Sequence, residues 1–238
     1  MKADSQREVT DAEKAAAFRL FEALAPDEQR ALMKRARWRR VAAGQEALDV
    51  ESAARGVSFV ARGRVRVMTH CSSGREIAFE DIGVGGFFGE LAAIDGGPRS
   101  ASVFAAEDTV LGELDGQSFV AAITSHPQVA VEVMKRLAFM VRQASKRVVD
   151  ISTLPVGARI AVELLRLAAI GTVDGNTAVI RPFPAHSDIA SRVSTTRETV
   201  ARALGTLAHK GLVQRRRNTM VIGDLAQLAA MVDEQRSV

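Results

Sequence analysis

Between Val41 and Leu114 short runs of apolar-polar alternation, such as Val57-Ser58-Phe59-Val60 and Arg64-Val65-Arg66-Val67-Met68, lie among frequent glycines, those at 44, 56, 63, 74, 83, 85, 86 and 89 included. Glycine this frequent interrupts helices and supplies the backbone freedom of turns, so the stretch predicts many short strands in a β-sandwich or roll. Gly63, between two such runs, predicts a hairpin turn. Near the end of the region Gly86-Phe87-Phe88-Gly89-Glu90-Leu91-Ala92 is followed by Pro98-Arg99-Ser100-Ala101. A glycine that lets backbone N–H groups approach a ligand, a carboxylate that accepts from sugar hydroxyls and a guanidinium that matches phosphate oxygens suit a single sugar phosphate. Ser100 adds a hydroxyl and Ala101 adds room.

The segment resembles the phosphate-binding cassette of cyclic-nucleotide-binding β-roll domains, in the cyclic-AMP receptor branch of the Crp–Fnr regulators. The resemblance implies that Glu90 takes the ribose 2′-OH and Arg99 the cyclic phosphate. It further implies that the short helix after Gly89, through Leu91 and Ala92, supplies amide donors, with Ser100 and Ala101 completing the site. The glycine-punctuated run resembles the β-roll of the same family, so the likeness extends beyond the cassette.

Helices flank the predicted strands. From about Ala12 to Arg40 the chain reads as helical: Phe18, Phe21, Leu24 and Leu32 fall at helical spacing, and Pro26-Asp27-Glu28 restarts a helix after a break. After His126-Pro127, the residues Ala130, Met134, Leu137, Val141, Ala144, Val148 and Ile151 follow a heptad seam on one long helix, with Lys135, Arg136, Arg142, Lys146 and Arg147 on its flanks. So narrow a stripe suits a two-stranded coiled coil better than a wide globular face. The resemblance makes this the dimer helix and has it reach the nucleotide through a Thr-Ser pair, the serine coming from the partner subunit. Aligned on Arg159-Ile160-Ala161, those positions are Ala144 and Ser145, so the threonine hydroxyl is missing here. Relaxed selectivity that admits cyclic GMP beside cyclic AMP follows. Thr153-Leu154-Pro155 breaks the helix and is a candidate hinge. Val156 to Ile170 predicts another helix, and Gly171 to Pro184 reads as a turn-rich link.

Charge is concentrated near one end. Residues 186–222 hold seven basic side chains (Arg192, Arg197, Arg202, Lys210, Arg215, Arg216, Arg217) against two acidic ones, while the whole chain has 32 basic and 28 acidic. Such a local excess marks a polyanion partner. Ser187 to Val193 predicts one short helix, Ser194-Thr195 a turn, and a second helix runs to about His209. Thr195 with Glu198 predicts a capping box at its start. Val200, Leu204 and Leu207 form the buried stripe, leaving Glu198 and Arg202 pointing away from it and Arg197 to one side. This is a helix-turn-helix. Leu212-Val213, the basic Arg215-Arg216-Arg217-Asn218 and Met220-Val221-Ile222 then predict a hairpin wing suited to phosphates. Thr196-Arg197-Glu198-Thr199-Val200-Ala201-Arg202 also resembles the recognition helix of the same family. There the two arginines read guanines and the glutamate reads cytosine in a TGTGA-like half-site. On that resemblance Ser187, Thr196, Arg197, Glu198, Thr199 and Arg202 contact DNA, and Lys210 and Arg215 to Arg217 hold phosphates.

The single cysteine, Cys71, excludes an intrachain disulfide and a multi-cysteine iron–sulfur site. The four histidines (His70, His126, His186, His209) lack metal-site spacing and read as surface or turn residues, with haem ligation left open. No apolar run reaches membrane-spanning length and the N-terminus has no signal core, so a cytoplasmic protein is expected. The expected fold is α+β: an N-terminal cyclic-nucleotide-binding, jelly-roll-like β-roll over 1–125, a long dimerisation helix and hinge over 126–153, and a winged helix-turn-helix over 154–238. The expected function is a homodimeric, cyclic-nucleotide-dependent transcription regulator. Cyclic AMP, with cyclic GMP admitted, is its effector, and it needs no metal. Its partners are a palindromic double-stranded DNA operator and RNA polymerase, and no membrane. The alternatives are a family regulator that is ligand-independent or senses another small molecule, and a cyclic-nucleotide-gated enzyme. About 85 residues after position 150, without a nucleophile–base pair, leave little room for the enzyme.

Overall fold

The computed structural model describes residues 8–70 and 76–236, so Cys71, Gly74 and most of the polar N-terminus lie outside the described residues. The described residues of 1–69 and 79–140 form one unit and those of 70–78 and 141–238 another.

The first unit opens with α1 (Asp11–Ala17), a 3-10 turn (Arg19–Phe21) and α2 (Pro26–Arg35). Thr10 caps α1: its hydroxyl accepts from the Glu13 N–H (3.2 Å), and the Glu13 carboxylate accepts from the Thr10 N–H (2.8 Å). The helical expectation to Arg40 ends early. Arg37–Val41 is β1, drawn out of the helix by antiparallel pairing with β8 (Thr109–Leu114). Alternating basic residues are compatible with either state locally, and the distant partner strand decides. Next come β2 (Glu46–Leu48), β3 (Val57–Arg62), β4 (Val65–His70), β5 (Glu76–Ile82), β6 (Phe87–Phe88), α3 (Glu90–Asp95) and β7 (Ser102–Ala105), with α4 (Gly116–Ser125) after β8.

Two four-stranded sheets result, ordered β1-β8-β3-β6 and β2-β7-β4-β5. Val60, Leu111 and Phe88 of the first meet Val65, Val103 and Ala105 of the second in one core. On the other face of the first sheet, Phe59 and Phe87 pack with Phe18, Phe21 and Phe119 from the helices, Phe18 and Phe59 stacking at 4.7 Å between centroids. Covered on both faces, β3 is buried from Val57 to Ala61, including the Ser58 that made the run look alternating in the sequence. β3 and β4 lie in different sheets, so Gly63 turns a corner between sheets and is not a hairpin tip. Its φ of +81°, and the 2.5 Å at which a Cβ would meet the Asp108 carbonyl, still require glycine.

One long helix, α5 (Pro127–Thr153), begins in the first unit and ends in the second. Val129 and Val133 are buried, whereas Met134, Val141, Val148 and Ile151 are exposed by 57%, 65%, 64% and 43%.

The second unit continues with α6 (Val156–Ala169), β9 (Thr172–Asp174), β10 (Thr177–Ile180), α7 (His186–Val193), α8 (Arg197–His209), β11 (Val213–Arg216), β12 (Thr219–Ile222) and α9 (Leu225–Arg236). Ile160 and Leu164 of α6, Ile189, Val200, Leu204, Met220, Ile222 and Leu228 form its core. The expected turn-rich link is instead the β9–β10 hairpin. Its β10 pairs with β12 (Ala178 opposite Ile222), giving a sheet ordered β11-β12-β10-β9. Arg147 of α5 donates to the Ser191 carbonyl of α7 (3.3 Å), and Asp150 of α5 pairs with Arg236 of α9 (3.2 Å).

Candidate functional site

Gly89 places the cradle. Its φ is +89°, and a Cβ there would lie 2.7 Å from Arg99 Nη1 and 2.9 Å from the Gly56 carbonyl oxygen. Only glycine lets β6 turn into α3 this close to an arginine. Arg99 reaches inward: Nη1 donates to the Gly89 carbonyl (2.7 Å) and Nη2 to the Gly56 carbonyl (2.9 Å). Its Nε is buried without a partner, and the residue is 6% exposed. Burial lowers the Arg99 pKa, with Glu113 acting against it. A guanidinium excluded from water with one donor unanswered has the chemistry to take an anion.

Glu90, the first residue of α3, is 3% exposed. Burial pushes its carboxyl above the usual carboxylate range, its own backbone N–H and Arg136 pull it back, and Arg99 contributes less. Arg136 of α5 is itself held by both oxygens of Glu80 on β5, with Nη1–Oε1 at 2.7 Å. Burial lowers the Arg136 pKa, but the bond to Glu80, the Glu80 charge and the Glu90 charge together leave it raised. Leu91 is half-buried, Ala92 and Ala101 are buried, and Ser100 is exposed. The structure therefore brings Gly89 to Ala92 together with Arg99 to Ala101. Ala144 and Ser145 stand exposed on the part of α5 that belongs to the second unit. Sequence reasoning missed Gly56, whose carbonyl holds Arg99, and the Glu80–Arg136 pair. Arg136 had read only as the flank of a seam, and no local signal marks its partner.

In the second unit α7 ends at Ser194, in the left-handed region with φ +56°. The Thr195 N–H donates to the Ala190 carbonyl (3.0 Å), closing the turn. The cap of α8 is therefore Thr196, whose hydroxyl accepts from the Thr199 N–H (3.3 Å), and not Thr195 as expected. Glu198 falls in the first turn but one place short of a capping box. Its own backbone N–H, then the Thr196 hydroxyl, hold its carboxyl below the usual range. Val200, Leu204 and Leu207 are buried, while Thr196, Arg197, Glu198 and Arg202 are exposed and Thr199 is half-buried. Ser187 is exposed in the first turn of α7, and Lys210 is exposed at the end of α8. Arg215 and Arg216 end β11, and Arg217 turns the wing tip with φ +50°. All three are exposed. His186, read from sequence as an ordinary surface residue, lies 2.9 Å from Arg215 through its Nε2. Among the described residues no group of three or more histidine, cysteine, aspartate or glutamate side chains could hold a metal, and no helix is long and apolar enough to cross a membrane.

Residues 38–126 match the cyclic nucleotide-binding domain family and residues 158–231 the Crp-like helix-turn-helix domain family. The cyclic AMP receptor protein of Thermus thermophilus is 32% identical over 209 residues, covering 88% of this chain and 94% of its own length. The chain belongs to the Crp–Fnr family of transcription regulators. Another relative within this family, a CRP-like cAMP-activated global transcriptional regulator of Mycobacterium tuberculosis, is 29% identical over 168 residues, 70% of this chain and 75% of that one. The solved structure of a CooA mutant from Carboxydothermus hydrogenoformans shares the fold at a TM-score of 0.77 and 19% identity, covering 94% of this chain and 98% of that chain. As a Crp–Fnr regulator the protein thus joins a nucleotide-binding β domain, a long helix and a DNA-binding helix-turn-helix in one chain.

Proposed function

We propose that this protein is a homodimeric regulator, gated by cyclic AMP, that binds a palindromic TGTGA-like operator. The observation that carries the ligand half is the buried pair in one cradle: Arg99, with its unanswered Nε, and Glu90 at the start of α3. A cyclic phosphate would exchange with the carbonyls that now hold Arg99, and a ribose hydroxyl would donate to Glu90. Inorganic phosphate offers only the first of these contacts. On the resemblance the partner subunit's Ser145 would face the base, and Ala144 cannot supply the threonine hydroxyl found in the cyclic-AMP branch, so cyclic GMP is admitted at lower affinity. The exposed stripe Met134, Val141, Val148 and Ile151 supports a two-fold dimer through α5, because apolar side chains at heptad spacing gain burial by meeting a second copy.

On this reading residues 1–125 bind the nucleotide, 126–153 pair the subunits and 154–238 bind DNA, with Leu154-Pro155 as the hinge. Arg197, Glu198 and Arg202 read bases, while Ser187, Thr196, Thr199, Lys210 and the wing arginines hold the backbone. The protein works in the cytoplasm, with RNA polymerase as its downstream partner.

Titration calorimetry with both nucleotides tests the proposal. Cyclic AMP should bind once per subunit and cyclic GMP within about a hundredfold of it. Arg99→Leu should lose at least about 2–3 kcal/mol, since it removes a charge-assisted contact and leaves a buried anion unpaired. Near-equal affinity in the variant would remove the site assignment. A wild type that binds neither nucleotide would turn the reading to a regulator that senses another small molecule or none.

A further inference from the structure

Three contacts tie the basic wing to His186, the first residue of α7, and to Phe183 just before that helix, and base reading requires none of them. Arg215 Nη1 and His186 Nε2 are 2.9 Å apart. The Arg215 guanidinium lies over the Phe183 ring, 5.8 Å from its centroid. The Phe183 N–H donates to the carbonyl of Asn218, at the wing tip (3.0 Å). Phe183 is 6% exposed and serves as a fixed platform, whereas Arg215 is exposed.

A guanidinium carries donors only, so the contact to Nε2 is a hydrogen bond only if that nitrogen keeps its lone pair and the imidazole is neutral. The surroundings favour the neutral ring: burial, then Arg215 from β11 and Arg197 from α8, hold the His186 pKa below the ordinary histidine value. Those two guanidinia are the charges acting on the ring from neighbouring elements, and Asp188 stands two residues further along α7 itself. An exposed arginine must give up rotamer freedom when it meets a phosphate, and one already seated on a ring and an imidazole gives up less.

We propose that His186 is a positioning residue for DNA binding: as a hydrogen-bond acceptor it seats Arg215 on Phe183, so the wing and the first turn of α7 meet the phosphate backbone as one preformed surface. The inference rests on the reading of Arg215 as a phosphate contact. His186 acts through Arg215 and reads no base.

The test is fluorescence anisotropy at fixed salt, with cyclic AMP present, on a duplex carrying a TGTGA-like palindrome and on an unrelated duplex of equal length. His186→Ala should weaken both by about three- to tenfold, the value of one ordinary hydrogen bond. His186→Gln should restore binding, because its amide oxygen accepts from Arg215. His186→Lys, which adds charge but no acceptor, should not. His186→Ala added to Arg215→Ala should weaken binding little further, since His186 acts only through Arg215. The role is overturned by His186→Ala binding like wild type, by His186→Lys binding as tightly as wild type, or by two losses that simply multiply. A wild type that binds neither duplex overturns instead the DNA-binding reading beneath the inference.

Discussion

Glu90 and Arg99 share a cradle, yet neither is the other's strongest electrostatic neighbour. Arg136 acts on Glu90 more than Arg99 does, and Glu113 acts on Arg99 more than Glu90 does. Each is balanced mainly by a residue outside the pair, so in the proposed site both could turn to a bound sugar phosphate. Burial raises the Glu90 pKa above 4.5, so the folded chain binds this proton more readily than the unfolded one. Ionising Glu90 then costs stability: the cost is absent below the ordinary carboxylate value and grows as pH rises through and above it. Glu90→Gln should accordingly raise the melting temperature of the nucleotide-free protein near neutral pH, with the gain fading as pH is lowered towards 4.5. The same variant should lose about ten- to hundredfold in cyclic-nucleotide affinity, the value of a hydrogen bond to a charged acceptor. A variant that melts early and binds normally would contradict both halves. The residue types of the cradle were legible in the sequence because their chemistry is local to sixteen positions. The groups around them, the Gly56 carbonyl before β3 and the Glu80–Arg136 pair of β5 and α5, come from remote positions that no spacing connects.

Among the elements, α5 carries the clearest expectation. Glutamates at Val141 and Val148 would place two unpaired charges per copy against their counterparts in the proposed dimer, and sedimentation at micromolar concentration should then show monomers. In α8, Arg202→Ala should cost about 1–3 kcal/mol and relax preference at one base pair. Neutralising Arg215, Arg216 and Arg217 should instead weaken all duplexes alike and flatten the salt dependence, which titration in increasing salt would record. The long helix α5, α8 and the wing were readable because each is a local pattern within one segment. The β9–β10 hairpin was not, since its strands are short and β10 is fixed by pairing with β12, some forty residues away. The corner at Gly63 shows the same limit: glycine announces a turn, but the choice between a hairpin and a change of sheet belongs to the partner strands. The cap of α8 moved from Thr195 to Thr196 because Thr195 closes the preceding turn through Ala190, a contact one threonine cannot announce over its neighbour.

At the scale of the whole molecule, nucleotide and operator should act on each other equally if the nucleotide gates DNA binding. A coupling of about 1–3 kcal/mol would raise operator affinity some five- to 150-fold on saturation with cyclic AMP, and cyclic AMP affinity by the same factor when operator is present. Equal operator affinity with and without nucleotide, measured by anisotropy, would leave a DNA-binding protein without a switch. If the exposed stripe on α5 pairs two copies as proposed, the pairing also bears on heredity. Subunits that pair through a face common to all copies cannot distinguish a sound partner from a damaged one. In a cell that makes intact chains alongside chains with a crippled α8, most pairs contain at least one crippled recognition helix and cannot span both halves of a palindrome. Mutations in Arg197 or Arg202 should therefore be dominant over the intact allele. Mutations that also break the α5 stripe should be recessive, because the damaged chain no longer finds an intact one to spoil.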